Sequence, residues 1–160
     1  MRNQAKRLLS LGMGEIAAGM ILVWVFLMLG TDWDLGTAGV SALSFLVFLL
    51  MQGGTYWLVR YRSLKNHAAI DPSLIMLFGG LRKLNRLLGV VILIAIAGFF
   101  ENSADLTFAA LLYLFALLEY VNYYEFRLSY GVSGFNVFEL RRQGLRRSSL
   151  NRLLGSRRRL

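Results

Sequence analysis

Apolar residues gather into four runs, at residues 11–29, 37–59, 84–100 and 106–121, with polar punctuation between them. Leu11–Leu29 nearly reaches the ~20 residues that a helix needs to cross a bilayer. Its far end, Leu29-Gly30-Thr31-Asp32-Trp33-Asp34, lacks the small-x-small cleavage site of a signal peptide, so we expect an uncleaved first span. Thr37–Val59 forms the second span, with Trp57 as an interfacial anchor near its end. The third run is short. Leu87 to Phe100 rises only about 21 Å as a helix and crosses only with Leu84 added and with Lys83 and Arg86 snorkelling. Leu106–Val121 forms the fourth span, and its helix is predicted to run on to Gly131, a suitable C-cap residue. The pattern predicts an all-α fold, an integral membrane four-helix bundle.

Two segments outside the spans carry helical signals of their own. Asp71-Pro72 is a helix start, with Asp as N-cap and Pro at the first helical position. After it Leu74, Leu77, Phe78, Leu81, Leu84 and Leu88 share a face, with Arg82, Lys83, Asn85 and Arg86 among them at the distal end. Two readings fit: an interfacial helix that bends near Gly79-Gly80 into the third span, or a plain extension of the third helix. In the tail, Phe135, Phe138, Leu145, Leu150, Leu153 and Leu154 form an apolar stripe interrupted by Gly144, which predicts a basic tail helix. The chain thus divides into a membrane domain, 1–131, and a basic tail, 132–160.

Composition agrees with this reading. At 56% hydrophobic and 17% charged, with mean hydropathy +0.53, the chain is too apolar for an ordinary soluble domain. A net charge of +9 would point to nucleic acid in a soluble protein, but its distribution gives another answer. All 18 Lys and Arg residues precede the first span, lie between the second and third, or follow the fourth. The two opposite turns hold only Asp32, Asp34, Glu101 and Asp105. Under the positive-inside rule both termini are cytoplasmic. Basic residues beside a membrane attract anionic lipid headgroups at about 1 kcal/mol each. The expected headgroup contacts are Arg82, Lys83, Arg86, Arg141, Arg142, Arg146 and Arg147. An acidic protein partner or a second copy of the chain is the other expected company, and RNA is the less economical one.

Depth singles out the candidate chemistry. Glu15 follows Arg7, Gln52 precedes Arg60 and Glu119 precedes Arg127, each by eight residues, or about 12 Å of helix. Three spans therefore carry a polar group at one depth, with Asn122 and Thr55 nearer the surface and Glu125 at it. Ionisable groups in hydrocarbon are costly and mark functional sites by default. In the functional reading, Glu15 and Glu119 share a proton or a cationic substrate. In the structural reading, which we favour, they join Gln52, Asn122 or a tyrosine hydroxyl in a buried polar cluster that fixes helix register. Small residues around Glu15 (Gly12, Gly14, Ala17, Ala18, Gly19) permit close helix approach. The absence of Cys and of any nucleophile, metal or phosphate-loop motif leads us to expect neither an enzyme nor a bound metal or cofactor.

At Glu119-Tyr120-x-Asn122-Tyr123, followed by Arg127-Leu128-Ser129-Tyr130, the sequence resembles uncharacterised small bacterial four-span membrane proteins that carry a similar junction and a basic tail. The resemblance implies a bacterial cytoplasmic membrane protein and brings no activity with it. The expected function is that of a membrane accessory or regulatory protein whose basic face contacts anionic lipid or a partner. The alternative is a small oligomeric transporter or channel using Glu15 and Glu119.

Overall fold

The computed structural model describes residues 2–29, 35–127 and 146–156, and these residues are helical almost throughout. Four long helices follow one another: α1 (Arg2–Leu29), α2 (Thr37–Lys65), α3 (Pro72–Phe99) and α4 (Ser103–Tyr120). A π-helical turn, Val121–Glu125, continues α4, and a short helix α5 (Ser149–Ser156) closes the described chain. Three of the long helices are long and apolar enough to cross a membrane, over Asn3–Met28, Thr37–Lys65 and Ser103–Glu125. The third expected span does not join them as a purely apolar segment, because every 18-residue stretch of α3 includes Arg82, Lys83 and Arg86.

The bundle is built around α2. Ala38, Ala42, Phe45, Leu49, Gln52 and Tyr56 form one buried seam at alternating four- and three-residue steps. Gly39, Leu43, Leu46, Leu50 and Gly53 form a second beside it. Two adjacent seams give a face wide enough to take α1 on one flank and α3 and α4 on the other. The outer surface is the reverse of a soluble protein's. Trp24, Leu27, Leu87, Ile94 and Leu111 are each more than 60% exposed, which suits hydrocarbon and not water. This is the make-up of a membrane protein.

Helices α1 and α2 cross at a pair of glycines. A Cβ on Gly12 would lie 3.1 Å from the Gly54 carbonyl oxygen, and one on Gly54 would lie 3.0 Å from that of Gly12. Close backbone approach of this kind stands in for the hydrophobic drive that lipid does not supply. Of the small residues expected to serve here, Gly12 and Gly19 face α2, whereas Gly14 faces open space.

At the acidic end the first turn of α2 has no side-chain cap of its own, Gly36 standing at the N-cap. Its caps come from the far side of the bundle. The Thr37 amide donates to Glu101 Oε1 (3.1 Å) and the Gly39 amide to Asp105 Oδ1 (2.8 Å). Asp105 is fully buried and also accepts from the Glu101 amide, while its own amide donates to the Asn102 side chain. One carboxylate thus holds the start of α2 and the α3–α4 turn, while the Asn102 side chain caps α4.

Helix α3 starts as expected. Asp71 accepts from the Ser73 amide (2.8 Å) and hydroxyl (2.7 Å), and these bonds hold its carboxyl below the usual carboxylate range. Of the two readings of this segment, the plain extension is what the structure shows: the interfacial helix bending near Gly79-Gly80 is replaced by the first half of one continuous helix. Gly79 is a contact site and not a hinge: Leu154 of α5 lies 3.7 Å from where its Cβ would be. The buried seam of α3 also differs from the expected leucine face. It passes through Phe78, Asn85, Gly89 and Ile96, leaving Leu77 and Leu84 exposed.

The last span departs most from expectation. Its α-helix does not continue to Gly131, which lies outside the described residues, but widens at Val121 and ends at Phe126 in extended backbone. Phe126 then pairs antiparallel with Arg147, with the Arg127 amide donating to the Arg146 carbonyl (2.9 Å) and the Ser148 amide to that of Glu125 (3.1 Å). The described part of the tail folds back against the bundle, with Leu150 buried and Leu153 and Leu154 packed on the core.

Candidate functional site

The basic end of the bundle is organised by the π-turn. Its defining bond runs from the Phe126 amide to the Val121 carbonyl (2.8 Å), one residue longer than an α-helical bond. The carbonyls of Tyr123 and Glu125 turn to the tail for donors. The Ser148 hydroxyl donates to Tyr123 O (2.5 Å), and the Asn151 side chain donates to Glu125 O (3.0 Å). Ser148 is also the N-cap of α5, accepting from the Asn151 amide (3.0 Å). Replacing Ser148 by alanine will remove both roles, at about 1–3 kcal/mol for a buried group left unpaired. Hydrogen exchange across residues 149–153 should quicken in Ser148→Ala and stay near wild type in Ser148→Thr. Equal protection in Ser148→Ala would show that the latch holds nothing.

The widened turn aims consecutive side chains at different partners. Tyr124, fully buried, donates its hydroxyl to Gln52 Oε1 (2.6 Å). Gln52 and Asn85 exchange amide bonds, Asn85 Nδ2 to Gln52 Oε1 (2.8 Å) and Gln52 Nε2 to Asn85 Oδ1 (3.2 Å). This three-membered lock joins α2, α3 and the π-turn and satisfies its buried polar atoms among themselves. Gln52 was expected beside Glu15 and Glu119. The structure places it here instead, because its seam on α2 faces α3 and the π-turn.

Glu125, expected at the surface, is half-buried in a cationic clasp. Arg82 bonds both of its carboxylate oxygens, and Arg86 Nη2 lies 2.8 Å from Oε1. Tyr120 bridges the group, accepting from Arg86 Nε (2.9 Å) and donating to Glu125 (3.2 Å). Arg82 also reaches Asn151 of α5 (3.4 Å). Of the arginines expected to meet lipid headgroups, Arg82 is therefore drawn inward by a carboxylate, while Arg86 bonds the same carboxylate and stays exposed. Lys83, Arg146 and Arg147 are exposed, and Arg141 and Arg142 lie outside the described residues.

Tyr123 faces the other way, towards α1. Its ring lies against Gly53, where a Cβ would meet the phenol oxygen at 2.6 Å. Its hydroxyl is buried and makes no hydrogen bond of good geometry, yet it lies between the carboxyl groups of Glu15 and Glu119. Asn122 reaches Glu119 at the edge of hydrogen-bonding range (3.5 Å). Three of the four polar residues expected to cluster, Glu15, Glu119 and Asn122, do come together, and the tyrosine that joins them carries no depth signal of its own.

A cavity of about 520 Å³ opens at this point, within the range of small-molecule sites. Glu15 and Tyr123 form its inner wall, Leu11, Trp57 and Leu150 its apolar flank, and Arg7, Arg127 and Arg152 its exposed margin. Tyr56, donating to Ser149 (2.7 Å), ties α2 to α5 across its side. Among the described residues no group of His, Cys, Asp and Glu could hold a metal ion. No family model, curated protein or solved structure matches the chain.

Proposed function

We propose that the chain is a small accessory or regulatory protein of the bacterial cytoplasmic membrane, with both termini on the cytoplasmic side. In this reading α3 completes a fourth span by snorkelling of Lys83 and Arg86. Its basic end meets anionic headgroups or a protein partner. The observation that carries the reading is the docking of α5 through Ser148, Asn151 and Leu150. It sets Arg146, Arg147 and Arg152 as a fixed platform on the end of the bundle that also bears Arg7, Arg60 and Lys83. A platform already ordered loses little entropy on meeting a charged surface. The filled interior of the opposite half supports a non-conducting role, Ala38, Ala42, Leu46 and Ala109 having no exposed surface.

The test uses the full chain in phosphatidylcholine nanodiscs presented to vesicles. Capture of phosphatidylglycerol vesicles, weakened by salt and by the triple change R146Q/R147Q/R152Q, is expected. Equal capture of phosphatidylcholine vesicles would overturn the lipid-surface reading. Affinity purification from native membranes tests the partner, and recovery of the protein alone would count against one.

One observation favours a second reading, an oligomeric transporter: two carboxyl groups from different spans face one buried hydroxyl. Cation uptake by proteoliposomes, reduced in both Glu15→Gln and Glu119→Gln, is its expected signature. Uptake unchanged in both variants removes it.

A further inference from the structure

We propose that the cavity at the basic end binds a phosphate ester bearing a primary ammonium, the phosphoethanolamine-type headgroup of an aminophospholipid. The proposal rests on the lipid-contacting reading above and adds a selective site to it. Its basis is the opposition of charge within one cavity. The margin carries three guanidinium groups, from Arg7 on α1, Arg127 after the π-turn and Arg152 on α5. The inner wall carries a carboxyl group, Glu15, whose neighbours among the described residues include the Glu119 carboxyl and the Tyr123 hydroxyl.

A simple anion would satisfy the margin and be repelled by the wall, and a simple cation would do the reverse. A dipolar group satisfies both, with its phosphate among the arginines and its ammonium against Glu15. Tyr123, 4% exposed, adds a hydroxyl oxygen beside the Glu15 carboxyl on the same wall. Arg7 and Glu15 are eight residues apart on α1, about 12 Å along its axis, so one cavity presents the cation at its margin and the carboxyl at its wall. Leu11, Trp57 and Leu150 on the flank give the glycerol and the first acyl carbons an apolar wall.

Titration of the full chain in detergent with short-chain phosphatidylethanolamine and short-chain phosphatidylglycerol decides the matter. The ethanolamine lipid should bind roughly tenfold more tightly, the worth of one charge-assisted bond. Glu15→Gln should level the two lipids, whereas Arg152→Gln should weaken both. Free phosphoethanolamine binding far more weakly than the lipid identifies the membrane as the source. Binding as tight as the lipid's keeps the chemistry and moves the source to a soluble ester. Equal affinity of the wild-type chain for the two lipids overturns the proposal whether or not any variant folds. The capture of anionic vesicles would persist in that case, so the surface reading stands or falls by its own measurement.

Discussion

Asp105→Ala will lower the unfolding free energy of the chain by about 3 kcal/mol or more, because two backbone amides lose their acceptor at once. Those amides belong to Gly39, in the first turn of α2, and to Glu101, within the α3–α4 turn. Neither has a ready substitute. Gly36 offers α2 no side chain, and Asp105 has no exposed surface through which water could replace it. Asp105→Asn keeps one carbonyl oxygen but points an amide donor at a backbone donor, so it should recover only part of the loss. Thermal unfolding in detergent, followed by circular dichroism, measures all three proteins. An alanine variant within about 0.5 kcal/mol of wild type would mean that the acidic end does not depend on this carboxylate.

The second large effect is expected at Gly53. The Tyr123 ring occupies the space that any side chain at this position would need. α2 cannot retreat, because Gly54 is already at closest approach to Gly12 on its other side. Gly53→Ala should therefore cost about 2–3 kcal/mol through overpacking, and Gly53→Val more. The strain should be specific to the pair. Tyr123→Leu made in the Gly53→Ala background should restore more than half of the lost stability, giving a coupling energy of ~1–2 kcal/mol in a double-mutant cycle. Strictly additive losses would place the Tyr123 ring elsewhere.

The helices were legible because their signals are local. Asp71-Pro72 marks the start of α3, and the cations at 82, 83 and 86 mark where its apolar part begins. The depth of Glu15 and Glu119 could be counted from Arg7 and Arg127, and the structure brings both carboxyl groups to Tyr123. What could not be read is the rotation of each helix about its axis. Equal depth sent Gln52 to Glu15, whereas its seam on α2 sends it to Asn85 and Tyr124. Asn85 was visible as a polar residue among cations, and only its seven-residue spacing from Phe78 shows that it faces inward. Glu125 was placed at the surface by its distance from the span, but Arg82 and Arg86 lie on another helix and no count along one chain segment brings them to it. The caps of α2 were hidden for the same reason, since Glu101 and Asp105 lie more than 60 residues downstream of the amides they hold.

The π-turn at Val121–Glu125 makes chain length a folding constraint in its own right. An α-helix with one surplus residue tolerates many substitutions, but it does not tolerate a change in the number of residues it contains. Deleting one residue within the turn would let the helix close into its ordinary winding and leave one side chain too few for the partners the turn now serves. Tyr123 and Tyr124 could then no longer both face inward, and Glu125 would leave the arginines that clasp it. The addresses of three separate polar groups are thus written in one unit of extra backbone.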